Sequence, residues 1–309
     1  MKLNNIELTF ENFANEMAKL KNEKHFDYLV TIIGEDFGEE GLGCIYILEN
    51  TQNNERCSVR TIAKKVDGSD VIPTVTNLWK AADLLEREVF DFVGIKFLGH
   101  PDMRRLFLRT DFVGHPLRKD FDMSPEANKF PLTDEPEDDF TVEYSLDKDG
   151  HLVETKHRLF EEDEYVVNIG PNHPSTHGVL RLQTVIDGET VKRIYPHLGY
   201  IHRGIEKMWE GMTYPQTLAL TDRLNYLSAM MHRHALVGVI EEAMGIELSD
   251  RIRYIRTIMD ELQRIDSHLL FLGCTAQDLG ALTAFLYCMR DREHVLNVME
   301  ETTGGRLIM

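Results

Sequence analysis

A chain of 309 residues is long enough for about two domains with cores of their own, and a hydrophobic content of 42% is ordinary for a globular protein. Its 52 acidic residues against 34 basic ones leave a formal charge of −18, a surface that repels phosphate backbones and so excludes free nucleic acid as a partner. No run reaches ~18 uncharged apolar residues, so nothing in the sequence predicts a bilayer span. The opening MKLNNIELTFENFANEM sets acidic residues where a signal peptide needs an unbroken apolar region. Cys44, Cys57, Cys274 and Cys288 form no C-x-x-C pair and match no zinc-ribbon or iron–sulfur spacing, which predicts buried thiols in a reducing compartment.

Taken in chain order, the first zone, 1–121, mixes short strands and helices. DYLVTIIG (27–34), GCIYILE (43–49) and RCSVRTIAKK (56–65) are β-rich runs, and polar 50–55 reads as the hairpin connection between the last two. A helix is predicted from Thr76, because Leu78, Ala81, Ala82, Leu85 and Val89 recur at helical spacing. Together these make an α+β domain with a mostly antiparallel sheet.

The second zone, 122–163, reads as an acidic linker. Pro125, Pro131 and Pro136 break regular structure, the acidic runs at 134–139 and 161–164 keep it solvated, and only around 140–144 is some local strand expected. The third zone, 164–309, opens with a strand pair at 165–169 and 179–186, with a further strand near 190–195. It then turns helical, with one helix expected over about 215–244. A second runs from the cap Ser249-Asp250 to about Cys274, and a third over 281–302. In the second of these, Ile252, Ile255, Ile258, Leu262, Ile265, Leu269 and Leu272 form one stripe that predicts packing in a bundle.

Four places hold residues able to carry chemistry. His173 and His177 lie in NIGPNHPSTHG (168–178) between two predicted strands. A shared helical face would suit zinc, but Pro174 and Gly178 argue against a helix and no third ligand is near. A hairpin turn whose histidines satisfy backbone groups and an exposed loop presenting an imidazole both remain open. Tyr226, in TDRLNYLS (221–228), reads either as a packed tyrosine or as a ligand contact. Asp278 interrupts an apolar stretch, where it either needs a partner or caps the helix that follows. Arg203 reads as a surface cation from composition alone.

The motifs point further. EREVFDFVGI (86–95), GHPDMRR (99–105) and GHPLRKDF (114–121) resemble the C-type polypeptide of bacterial NADH:quinone oxidoreductase (complex I). GPNHPSTHGVLRL (170–182), HLGYIHRGIEK (197–207), TYPQTLALTDRLNYLS (213–228) and QDLGALT (277–283) are similar to the amino-terminal half of its D-type polypeptide. Their order and spacing cover nearly the whole chain, and 122–163 fits the junction of a fused C–D polypeptide. The resemblance implies a helical bundle like that of the nickel–iron hydrogenase large subunit, reached here only about midway through the D region. It also implies that His177 contacts a quinone headgroup, that Tyr226 contacts the same quinone, and that Asp278 pairs with the histidine. Arg203 would lie near the terminal iron–sulfur cluster of a neighbouring B-type subunit. With no cofactor of its own, this chain would take electrons delivered by the cluster, FMN and NADH of partner subunits, working peripherally on the cytoplasmic side of the inner membrane against the membrane arm.

Chemistry makes those assignments coherent. Quinone reduction takes two electrons and two protons at carbonyl oxygens, which an imidazole and a phenol can supply, and a carboxylate beside the imidazole favours its charged form. A hydrogenase activity is not expected. The related stretch there reads DRxCGxC, whereas Asn225 and Ser228 stand here in place of the soft thiolates that hold nickel and iron. The other readings of the resemblance are an assembly subunit without activity of its own, or a subunit of a ferredoxin-linked relative of complex I.

Overall fold

A computed structural model describes residues 4–124, 139–161, 163–176 and 178–306. The chain divides into two compact units, Met1–Gly204 and Ile205–Met309. The architecture is α+β: the first unit carries the sheets and the second is helical.

In the first unit, β1 (Asn4–Leu8) leads into α1 (Phe10–Asn22), followed by β2 (Tyr28–Asp36), β3 (Leu42–Asn50) and β4 (Glu55–Ile62). Their sheet has the order β1-β4-β3-β2, antiparallel except for β1 beside β4. Strict alternation in β3 puts Cys44, Tyr46 and Leu48 on one fully buried face. Helix α1 covers that core with Phe13, Met17 and Leu20, spaced at four and three residues, and the Phe13 and Tyr46 rings lie 5.2 Å apart. The side chains of α1 contribute about 2 kcal/mol each by leaving water.

Next come β5 (Lys64–Val66), β6 (Ser69–Pro73), α2 (Ala82–Val93), β7 (Lys96–Leu98), β8 (Phe140–Leu146) and β9 (Leu152–Arg158), which form a mixed sheet in the order β5-β6-β7-β8-β9. Helix α2 starts later than the expected Thr76. The buried Glu86 carboxylate reaches back to accept Val75 N (2.8 Å) and Thr74 Oγ1 (2.6 Å), holding the preceding residues in a separate turn. Gly34 of β2 lets α2 approach, since a Cβ there would stand 2.6 Å from Val89 Cγ1. Strands β8 and β9 fall inside the stretch read from sequence as an acidic linker. The hairpin forms because Tyr144 has something to bury against: it is packed near Phe90, under the Lys96 ammonium (4.5 Å), and its carbonyl accepts Gly99 N (2.8 Å). Residues 125–138 of that expected linker lie outside the described residues.

A three-stranded antiparallel sheet closes the first unit: β10 (Tyr165–Ile169), then, after the short pair β11 (Asn172–His173) and β12 (Gly178–Val179), β13 (Arg181–Asp187) and β14 (Thr190–His197), in the order β10-β13-β14. The hairpin part of the expected 164–309 domain therefore belongs to the first compact unit. The second unit holds α3 (Ile205–Glu210), α4 (Tyr214–Thr221), α5 (Ala229–Met244), α6 (Asp250–Asp278) and α7 (Leu282–Thr303). Two sequence expectations change here. The single helix over 215–244 is two, broken at 222–228. The buried face of α6 is not its apolar stripe but Met259, Gln263, Asp266 and Gly273. Gly273 lets α7 come close, with a Cβ there 3.2 Å from Cys288 Cβ. Ile252, Ile255, Ile258, Ile265 and Leu272 are exposed.

Candidate functional site

Tyr226 sits in the break between α4 and α5, and the local sequence explains that break. Asp222, buried at the end of α4, pairs with Arg233 of α5 at 2.5 Å. Asn225 Oδ1 accepts Leu227 N (3.2 Å) and Asn225 O accepts Ser228 N (3.0 Å), a side-chain turn that competes with helix continuation. Behind Tyr226, the Leu227 carbonyl accepts Gln263 Nε2 from α6 at 3.1 Å. The loop is thus pinned on both sides of a tyrosine that is itself 59% exposed. Asp278 is the last residue of α6 and is exposed, so Tyr226 and Asp278 share the helical unit, about 22 Å of helical rise separating Gln263 from Asp278.

In the first unit, His177 lies outside the described residues. Its surroundings are built tightly: Thr176 Oγ1 donates to His173 O (2.8 Å) and lies 3.0 Å from Gly178 O, and Ser175 N donates to His173 Nδ1 (3.2 Å). His173, one of the two histidines of the motif, is thereby tied to the backbone. Gly170 has φ +89, and a Cβ there would collide with the Leu180 carbonyl oxygen, so the loop admits only glycine at that corner.

The loop carrying Arg203 is seated on the residues of the C-type motifs. Gly199, at φ +92, lies so near the Phe107 carbonyl that no side chain fits, and the His202 ring stacks on Phe92 at 4.7 Å. Arg203, one residue on, is exposed at the end of the first unit. Phe107 is itself fixed by Asp91 of α2. The Asp91 carboxylate, fully buried, accepts Leu106 N, Phe107 N and Leu108 N at 2.7–3.0 Å and pairs with Arg105 at 2.8 Å. One turn earlier, Arg87 donates to the carbonyls of Arg104 and Arg105, both at 3.0 Å. The end of α2 is closed by the third motif. His115 Nδ1 donates to Asp91 O (3.0 Å), Leu117 N to Phe92 O (2.9 Å) and Arg118 Nε to Val93 O (2.6 Å), while Gly94 turns the chain at φ +86.

Electrostatics hold the charge down on two histidines, His100, which is buried, and His197, which is half-buried. His100 takes Asp102 N on Nδ1 (3.0 Å) and faces Asp83 O through Nε2 (3.1 Å), the pattern of a neutral imidazole, and burial holds its pKa down. His197 is pushed down to about 4 by burial and by Arg181, Arg104 and Arg87, with Nε2 3.1 Å from Gln183 Oε1.

Sequence reasoning missed a polar chain in the helical unit. Gln263 Nε2 donates also to Asp266 Oδ2 (3.2 Å), and Asp266 pairs with Arg292 of α7 at 2.9 Å. Burial pushes the Asp266 carboxyl up, against the pull of Arg292. The signal was available: two polar residues, Gln263 and Asp266, lie three apart on the face flanking the apolar stripe. A cavity of about 440 Å³ lies between α5, α6 and the end of α7, lined by Met230, Val237, Met259 and the His234–Asp260 pair (2.6 Å) among others. Neither Tyr226 nor Asp278 lines it. Among the described residues no three histidine, cysteine or acidic side chains gather as a metal site, and no helix is long and apolar enough to cross a membrane.

Comparison with known proteins defines the class. The family described as respiratory-chain NADH dehydrogenase, 30 Kd subunit, matches residues 6–127, and the 49 Kd subunit family matches residues 278–309. The C/D subunit of the NADH-quinone oxidoreductase of Phocaeicola vulgatus is 55% identical over 303 residues, covering 98% of this chain and 58% of that one. Its counterpart in Bacteroides fragilis is 55% identical over 306 residues, covering 96% and 57%. The second of the C/D subunits of Aquifex aeolicus is 41% identical over 310 residues, covering 96% and 52%. The chain thus spans little more than half the length of these curated relatives. Along nearly its whole length the chain is similar to C/D subunits of NADH-quinone oxidoreductase, and its residues 6–127 carry the match to the 30 Kd subunit family.

Proposed function

We propose that this chain supplies quinone-contacting residues and a docking surface to the peripheral arm of an NADH:quinone oxidoreductase, on the cytoplasmic side of the membrane. Electrons reach it from an iron–sulfur cluster of a B-type partner subunit, near Arg203, after NADH and FMN on other subunits. Tyr226 gives a hydrogen bond, and a proton as charge develops, to a quinone oxygen. His177 serves the quinone as the second donor, with Asp278 as the carboxylate assigned to it by the resemblance. The observation that carries this reading is Tyr226: an exposed phenol on a loop whose backbone is fastened on both sides, in a chain whose relatives are named as NADH-quinone oxidoreductase subunits. An exposed phenol can meet a ligand, and a fastened loop presents it in one place.

The test is Tyr226→Phe in the assembled complex, which keeps the ring and removes the hydroxyl. Quinone reduction should fall roughly tenfold, a loss of ~1.4 kcal/mol in transition-state stabilisation. Electron transfer from NADH to an artificial acceptor upstream of quinone should be unchanged. Full quinone turnover in an assembled Tyr226→Phe complex would remove Tyr226 from the site. The exposed apolar face of α6 favours a second reading, an assembly subunit, and full turnover in both Tyr226→Phe and His177→Ala complexes would support it.

A further inference from the structure

Gln263 occupies an unusual place: the middle of a 29-residue helix, 1% exposed, with its amide between two acceptors. One is Leu227 O on the Tyr226 loop (3.1 Å) and the other is Asp266 Oδ2 one turn along (3.2 Å). Only the NH₂ end satisfies both, since turning the amide over would set its oxygen against two oxygens. The amide orientation is therefore locked. Asp266, 0% exposed, is in turn held from α7, where Arg292 Nε stands 2.9 Å from Oδ1 and Arg292 Nη2 donates to Oδ2 at 3.2 Å. A continuous chain runs from α7 through α6 to the carbonyl next to Tyr226.

The energetics argue against a purely structural role for this chain. Both Gln263 and Asp266 are removed from water, and Gln263 Oε1 is buried with no hydrogen-bond partner among the described residues. Buried polar groups left partly unsatisfied cost stability, and apolar side chains of similar volume commonly hold helices together as well or better. What an apolar residue cannot do is fix the direction of the Leu227 carbonyl. We infer that Gln263, held by Asp266 and Arg292, is a positioning residue that sets where Tyr226 presents its phenol. This inference rests on the reading of Tyr226 as a quinone contact.

The experiment compares Gln263→Leu, Tyr226→Phe and the double variant in the assembled complex. Gln263→Leu should leave the thermal midpoint unchanged or raised while kcat/KM for quinone falls roughly tenfold, the scale of a misplaced catalytic group. Adding it to Tyr226→Phe should cost nothing further, because it acts through the hydroxyl already removed. In this chain alone, Gln263→Leu should speed backbone amide exchange at 222–228 and leave the rest of the helical unit as it was. Gln263→Met, unbranched like glutamine, carries the same expectations if the leucine variant fails to fold. A fall in thermal midpoint paralleling the loss of activity, or independent effects of the two substitutions, would make Gln263 merely structural. Unchanged quinone kinetics in Gln263→Leu with Tyr226→Phe impaired would overturn the inference alone. Full activity in Tyr226→Phe would overturn the quinone reading and this inference with it.

Discussion

Asp91 shows how one buried carboxylate can organise residues far apart in the chain. Three consecutive backbone N–H groups, Leu106 to Leu108, converge on its Oδ2, and the Arg105 guanidinium neutralises Oδ1. Phe107 is thereby placed under Gly199 and His202, so the loop bearing Arg203 inherits its seat from a residue more than a hundred positions earlier. Asp91→Ala leaves three amides without their acceptor and the largely buried Arg105 guanidinium without its counter-ion, and should destabilise the sheet-bearing unit by about 3 kcal/mol, read as a fall in the urea midpoint. Asp91→Asn keeps one oxygen for the amides and loses the charge, so its midpoint should lie between those of the native chain and Asp91→Ala. A native midpoint in Asp91→Ala would mean that the 105–108 loop is held by its apolar contacts instead.

At the scale of elements, α2 is the clamp that the three C-type motifs share. Its face at Arg87 and Asp91 holds the second motif, its C-terminus is capped by the third, and Glu86 holds the turn before it. Burial pushes the Glu86 carboxyl up from the usual 4.5 to about 8. Between those values the folded chain keeps a proton there that the unfolded chain has released. The contribution of this group is therefore full below about pH 4.5 and is lost as pH rises through about 8. Glu86→Gln should flatten the decline in urea stability between pH 5.5 and 8, and an unaltered pH slope would show that Glu86 is ionised in the folded chain. The hairpin β3–β4 and helices α6 and α7 were legible in the sequence, because alternation, a polar turn and long helical periodicity act within one segment. Helix α1 was not assigned, although Phe13, Met17 and Leu20 carry its spacing in a short and otherwise polar segment. The break at 222–228 was hidden as well, since it depends on Asp222 finding Arg233 and on the Asn225 turn. Of the candidate site, the sequence pointed to Tyr226, Asp278 and Arg203, but not to Gln263, whose meaning comes only from the carbonyl it meets across helices.

Across the whole molecule, a charge of −18 and an uncovered apolar face pull in opposite directions. In α6, Ile252, Ile255, Ile258, Ile265 and Leu272 are exposed, and in α7 Leu282, Leu286 and Tyr287 are too. Apolar surface of that extent on helices of one unit is unfavourable in water and associates when another apolar surface is offered. Net negative charge resists the approach of a second copy, but that repulsion is screened within about 10 Å at 0.1 M salt. The isolated chain should therefore associate in a concentration-dependent way in sedimentation velocity, more strongly as salt rises. Ile258→Glu with Ile265→Glu places charge on the exposed stripe without touching Met259, Gln263 or Asp266, so helicity by circular dichroism should persist while association weakens. Association that ignores these two substitutions, or that falls as salt rises, would trace it to another surface.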